Sequence, residues 1–357
     1  MPMSPPNPSE IPFLAAVQGT RGRHTPVWFM RQAGRSLPEY REIRGSGSIL
    51  DAIYQPELAA EITLQPVRRH GVDAAVLFSD IVVPVHAVGF GIDVAPGTGP
   101  VAQSPFRGAD DLKRLPPLTH DLVDHVAITV DILSRELPND VPLLAFAGAP
   151  FTVASYLIEG SPSRTYQRTK SLMHGNEALW HSLVGVLADY AIEFIDVQLT
   201  HGARAFQLFD SWAGALSPDD YERFVLPHSS RVFAELKQRH PQSAGIHFGI
   251  GCDHLLELMY SAGADVIGLD WRTSIAKARA RLGESVTVQG NLDPALVLAG
   301  RETAIAGAQR VLDDNGGHPR HIFNLGHGVQ PDTDPGILTE IVNMVHERTR
   351  HKGGSTE

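Results

Sequence analysis

Cysteine is nearly absent: Cys252 is the only one in 357 residues. No intrachain disulfide can form and no thiolate cluster can hold a structural zinc, so a reducing, cytoplasmic setting is expected. The opening MPMSPPNPSEIP lacks a basic stretch, and prolines interrupt it before the short apolar FLAAV. It does not read as a secretory leader. No run approaches the roughly 18 apolar residues of a membrane helix, so no membrane span is expected. Broad positive charge is lacking too, since the net charge is −10 and the pI about 5.9. That balance argues against nucleic acid or an anionic membrane surface as a partner.

One dense feature stands against this scarcity. Residues 21–44 hold six arginines against two glutamates. Guanidinium forks match carboxylates and phosphates bidentately, so an acidic chain that gathers them in one segment is read as holding a polyanionic small molecule there. The chain is long enough for one closed α/β barrel, and 43% of it is apolar, enough for a substantial core.

Eight short apolar runs recur: PVWFM (26–30), AAVLF (74–78), PLLAF (142–146), AFQLF (205–209), AGIHF (244–248), DVIGL (265–269), SVTVQ (285–289) and HIFNL (321–325). Runs of about five residues with little alternation suit strands buried on both faces of a parallel sheet. Helical spacing fills the gaps, as in residues 176–202 and in TSIAKARARLG (273–283), which ends on a glycine cap. The predicted fold is therefore α/β, a single (β/α)8 barrel over 11–350, with a disordered tail at 1–10 and a frayed one at 351–357. GFGIDVAPGTGP (89–100) lacks the spacing of a phosphate loop and reads as a turn or hairpin insertion.

Barrel sites lie at the C-terminal ends of the strands. That rule selects Arg31 and Arg35, Ser79 and Asp80, the stretch 148–152, Asp210 and Ser211, Gly249, Asp270, Gly290 and Asn291, and His327. Arg31 and Arg35 flank Gln32, Ala33 and Gly34, and the glycine lets backbone approach a ligand. Their bland alternative is a solvated face paired with Glu39 or Glu42. Asp80 fits either a helix cap or a carboxylate that stays ionised beside arginines and accepts ligand N–H groups. His327, between two glycines, is exposed at a loop. His247 is a second strand-end histidine, Tyr156 is either core filler or a hydrogen-bond donor, and Ser211 has no adjacent base to activate it.

Taken in order, PVWFMRQAGRSLPEYREIR, ITLQPVRRHGVDAAVLFSDI, FAGAPFTVASYLIEG, LFDSWAG, ADVIGLDWR, VQGNLDP and FNLGHGVQPDTDP resemble the uroporphyrinogen decarboxylase family over about residues 25–350. The resemblance implies a homodimeric (β/α)8 barrel working without metal or organic cofactor, which converts the four acetate arms of uroporphyrinogen III to methyls in haem biosynthesis. It places substrate binding on Arg31, Gln32, Ala33, Gly34, Arg35, Arg44, Asp80, Tyr156, Ser211 and His327, with Asp80, Arg31 and Tyr156 as the catalytic set. Trp212 stands where some members carry histidine. A related barrel that moves methyl groups by way of a zinc-bound thiol needs one histidine and two cysteines, which a single cysteine does not supply. A non-catalytic carrier of polyanions would need the arginines but not Asp80.

Overall fold

The computed structural model describes residues 10–351 apart from Ser46 and Pro96, so nearly all of both expected tails lies outside the described residues. Seven of the eight apolar runs form strands. In chain order the strands are β1 (Ala75–Val76), β2 (Ile92–Ala95), β3 (Gly99–Ala102), β4 (Leu143–Gly148), β5 (Ala205–Asp210), β6 (Ala244–Gly249), β7 (Val266–Gly268), β8 (Thr287–Gln289) and β9 (His321–Ile322). A parallel sheet runs β1-β4-β5-β6-β7-β8-β9, and β2 and β3 form a separate antiparallel hairpin within the segment read as an insertion. Every residue of β4 and β6 is buried, which is why these runs show no alternation. Register sets Leu144 opposite Ala205 and Asp210 opposite Gly249, so the strand ends that carry polar groups are level.

The first run, PVWFM, is not a strand. It lies between the two outer strands: the Asp73 N–H donates to the Val27 carbonyl at 2.8 Å, while the Phe323 N–H donates to the Pro26 carbonyl at 2.8 Å and the Trp28 N–H to the Phe323 carbonyl at 3.2 Å. Only Val27 forms a ladder bridge, to Phe323. Side chains then replace strand partners. The Phe29 N–H donates to Gln32 Oε1 at 3.0 Å and the Met30 N–H to Asn324 Oδ1 at 3.1 Å, which ends the ladder after one step.

Helices cover the sheet. Ser274 starts the helix Ile275–Leu282 by accepting the Lys277 N–H, and Gly283, at φ 94°, ends it where a side chain would be strained. The helix Glu177–Thr200 corrects the expectation that no segment is apolar enough to cross a membrane. By length and composition it qualifies, yet residues such as Leu183, Leu187, Ile192 and Phe194 are buried as it packs on β4 and the helix Leu226–Arg239. Its apolar character is that of a core helix, buried on more than one side.

At the N-terminal ends of the strands one carboxylate joins three segments. Asp73 accepts from His24 Nε2 and His346 Nε2, each at 2.7 Å, and from the Val27 N–H at 2.8 Å. The two imidazoles stack at 3.8 Å between centroids. Burial alone would raise the Asp73 pKa, but the two histidine hydrogen bonds outweigh it and hold the carboxyl below its ordinary 3.8. A depressed carboxyl stabilises the fold above its unfolded pKa and loses that contribution as pH falls. Asp73→Ala is expected to cost about 3–5 kcal/mol in urea denaturation at neutral pH. The gap to the unaltered chain should narrow as pH drops below 3.8.

Candidate active site

Polar side chains gather at the other end of the sheet. Arg31 turns out of the first run at φ 60°, a left-handed conformation unusual for a side chain with a Cβ. Gln32 makes that turn rigid. Besides holding the Phe29 N–H, its Nε2 donates to the Ala74 carbonyl at 3.0 Å, and its side chain is fully buried. Gln32 is therefore a brace within the loop, and its amide does not face the cleft. Ala33 packs against the core and Gly34 is half-buried, so of this loop only Arg31 and Arg35 stand exposed.

Three further elements meet Arg31. Asp80, in the turn after β1, is half-buried, and its Oδ1 accepts the Val82 N–H at 3.1 Å. Burial pushes its pKa up, opposed by the Val82 N–H and the positive charge of Arg31. The charge of Arg31 thus favours the ionised carboxylate expected from the sequence, while burial works against it. Tyr156, on the helix Pro150–Glu159 after β4, is raised by burial and by the charge of Asp80, so its phenol keeps its proton and can donate. His327 is pushed down to about 4, first by burial and then by Arg31. Its Nδ1 accepts the Gly328 N–H at 2.7 Å, which leaves the proton of the neutral ring on Nε2 as a donor.

The glycines beside His327 permit this convergence. A Cβ at position 326 would lie 2.3 Å from the Trp271 backbone nitrogen, and one at 328 would lie 2.5 Å from Cδ of Arg31. Neither position accepts a Cβ unless its neighbour moves. The histidine loop is thus pressed between the Trp271 backbone and the stem of Arg31, with the Trp271 ring edge-on to the imidazole at 6.4 Å.

Aromatic rings that the sequence did not single out as site residues form the next wall. Tyr156 packs on Trp212 at 3.8 Å between centroids, and Tyr166 approaches the same indole at 5.1 Å. A relay fixes Trp212: its backbone N–H donates to Thr152 Oγ1 at 3.2 Å, and that hydroxyl donates to Oδ1 of the fully buried Asp210 at 2.9 Å. Ser211 sits half-buried on the turn between them. Arg35 and Arg44 both act on the Tyr40 phenol, whose ring stands edge-on to Phe78, and Arg44 Nη2 donates to the Gly47 carbonyl at 2.7 Å. His247 is a core residue, fully buried with Nδ1 against the Met259 carbonyl at 3.2 Å.

A cavity of about 600 Å³ lies at the opposite end of the sheet, beside Asp73, His24 and His346. Those three have the donor types for a metal, and both Nε2 atoms are engaged in hydrogen bonds to the carboxylate.

The family model described as "Uroporphyrinogen decarboxylase (URO-D)" matches residues 9–348. Uroporphyrinogen decarboxylase of Saccharopolyspora erythraea is 54% identical over 347 residues, covering 95% of each chain. That of Salinispora tropica is 54% identical over 348 residues, covering 97% of this chain and 92% of its own. Among solved structures, a methyltransferase from Methanosarcina mazei superposes with a TM-score of 0.79 at 18% identity, covering 95% of this chain and 98% of its own. At that identity the likeness concerns the fold alone.

Two outcomes test the geometry. Gly328→Ala should displace Arg31 and weaken ligand binding with little effect on stability, because a flexible stem can yield. Gly326→Ala meets backbone and should destabilise the fold by about 1–3 kcal/mol in chemical denaturation. His327 should stay neutral until the pH nears about 4, so its NMR signals should not titrate through neutrality. Because the unfolded ring takes a proton near 6.5, acidification from there toward 4 favours unfolding at this residue.

Proposed function

The chain belongs to the uroporphyrinogen decarboxylase family, and we infer that it removes carboxyl groups from uroporphyrinogen as a carboxy-lyase of haem biosynthesis. The meeting of Arg31, Asp80, Tyr156 and His327 at one end of the parallel sheet carries this reading. In finer detail, the four acetate arms of uroporphyrinogen III become methyls, giving coproporphyrinogen III and four CO2. The first run completes a closed (β/α)8 barrel as its eighth member, in a single domain over 11–350. A cytoplasmic homodimer follows from the family resemblance, and the scarcity of cysteine suits that compartment.

Loss of CO2 from an acetate arm leaves an electron pair on carbon. The pyrrole itself can take it. Protonation of the ring carbon next to the one that bears the arm makes the ring a cation with positive charge on the arm-bearing carbon; the bond to the carboxyl carbon then breaks, its electrons form a double bond between the exocyclic carbon and the ring, and CO2 leaves. A second proton, delivered to the exocyclic carbon, and loss of the first from the ring restore the aromatic pyrrole with a methyl group in place of the arm. Asp80 accepts the pyrrole N–H groups and stabilises the cation as it forms. Arg31, Arg35 and Arg44 bind substrate carboxylates. A guanidinium is a poor acid, so Arg31 serves catalysis by holding the arm in place near the reacting ring. Tyr156 and His327, both proton-bearing donors, orient the substrate, with Ser211 and the Gln32–Gly34 backbone completing the binding surface.

A methyl transfer by way of a zinc-bound thiol is the rival reading that the fold neighbour brings to mind. It lacks its donors here: Cys252 is the sole cysteine, it is buried, and burial raises its thiol pKa well above the usual value.

Stepwise loss of carboxylates from uroporphyrinogen, followed as CO2 release, tests the activity directly. Asp80→Asn should lower kcat by about a hundredfold or more while shifting KM far less. Equal losses in both would reduce Asp80 to a binding group. The acid limb of the kcat/KM profile should lie above pH 3.8, where the ordinary carboxyl titrates, because burial raises this one. Arg35→Ala should raise KM about tenfold, the loss of one charge-assisted hydrogen bond. Unaltered affinity in that variant would remove Arg35 from the carboxylate clamp.

A further inference from the structure

The substrate of the reading above is an octa-acid, yet the arginines assigned to it all come from one segment, residues 31–44. Beside Trp271, which packs against Gly326 as Arg31 packs against Gly328, stands another cation, Arg272. It follows β7, and its guanidinium carbon lies 3.9 Å from the centroid of the Trp271 ring. Its Nη1 donates to Asp270 Oδ2 at 2.6 Å, and its backbone N–H donates to Oδ1 at 2.9 Å. Asp270 is 3% exposed and also accepts the Gly251 N–H at 2.6 Å.

An ordinary surface ion pair joins two mobile, solvated chains and fixes little. This arrangement differs on both counts. The acid is buried and anchored to backbone on two strands' ends, while the side chain of the arginine remains 52% exposed. The indole fixes the plane of the guanidinium and the carboxylate fixes one edge. No hydrogen bond from Nε or Nη2 is formed among the described residues, so that edge is free to meet an anion. A fork held in this way loses little side-chain freedom when it binds, which favours a carboxylate. The location is equally specific. Trp271 is the residue whose backbone presses on Gly326 and whose ring stands edge-on to His327. The charges of Arg31 and Arg272 both reach His327.

We propose that Arg272 is a substrate-binding residue, holding a carboxylate arm of the tetrapyrrole on the Trp271 side of His327, with Asp270 and Trp271 setting its orientation. The proposal rests on the decarboxylase reading for the identity of its ligand. Its consequence is a two-sided clamp, which would fix the macrocycle against rotation within the cleft rather than merely attract it.

Substrate affinity, measured by equilibrium dialysis of reduced uroporphyrinogen under inert gas, tests the clamp, and CO2 release by the unaltered chain tests the function separately. Arg272→Gln keeps a donor for Asp270 and removes the charge, so the fold is retained. It should weaken binding about tenfold, as expected for a lost charge-assisted contact. Arg272→Lys should fall between the two, since it restores charge without the planar fork. Unchanged affinity in Arg272→Gln overturns the proposal whether or not the unaltered chain releases CO2. Weakened binding accompanied by a changed elution volume in size-exclusion chromatography also overturns it, because Arg272 would then be a contact between subunits.

Discussion

Two hydrogen atoms decide the shape of the cleft. Where Gly326 and Gly328 have no Cβ, the Trp271 backbone and the stem of Arg31 come in from either side and hold His327 between them. The left-handed turn at Arg31 and the buried amide of Gln32 deliver the arginine to that place. Close packing of this kind leaves few alternative arrangements, because interiors near crystal density answer a small displacement with a collision. Charge is thereby concentrated without direct pairing. Arg31 acts on Asp80, Tyr156 and His327 through space and stays available for a ligand.

Polar groups do different work at the two ends of the sheet. Near the strand starts, Asp73 satisfies both its oxygens within the protein and ties residues 24 and 27 to the last described helix. Near the strand ends, Asp80 spends one oxygen on its own turn, and Arg31 stands exposed. Satisfied buried polar groups specify a fold, while exposed and electrostatically strained ones serve chemistry. The relay from Asp210 through Thr152 to the Trp212 backbone joins these roles, since a buried carboxylate sets an aromatic wall that Tyr156 leans on.

Strand positions were legible because a run buried on both faces has to be apolar throughout. β4, β5 and β6 fall where AFQLF and its counterparts stand. PVWFM has the same composition, yet forms only a bridge, because Gln32 and Asn324 take its N–H groups. That interception depends on residues far apart in sequence, and composition does not register it. The apolar helix Glu177–Thr200 was misjudged in the opposite sense, since local composition does not say what will cover it. Among the candidate site residues, Arg31, Asp80, Tyr156 and His327 were visible as strand-end groups. Arg35 and Arg44 share their segment but lie near Tyr40, and Gln32 turned inward. Trp212, Tyr166 and Arg272 were not singled out for the site because their significance lies in stacking, which leaves no pattern along a chain.

The seating of the first run has a consequence for how the protein is made. Met30 depends on Asn324, 294 residues later, and the Val329 N–H donates to the Met30 carbonyl at 2.8 Å. During synthesis the arginine loop emerges early, but its partners leave the ribosome among the last. Until then its apolar anchor residues, Trp28 and Phe29, have no finished seat, and closing so long a loop comes late in folding. A nascent or truncated chain ending before residue 324 therefore carries the cationic segment without the means to hold it. Such a chain offers quality-control proteases an exposed aromatic segment, while a completed one conceals it.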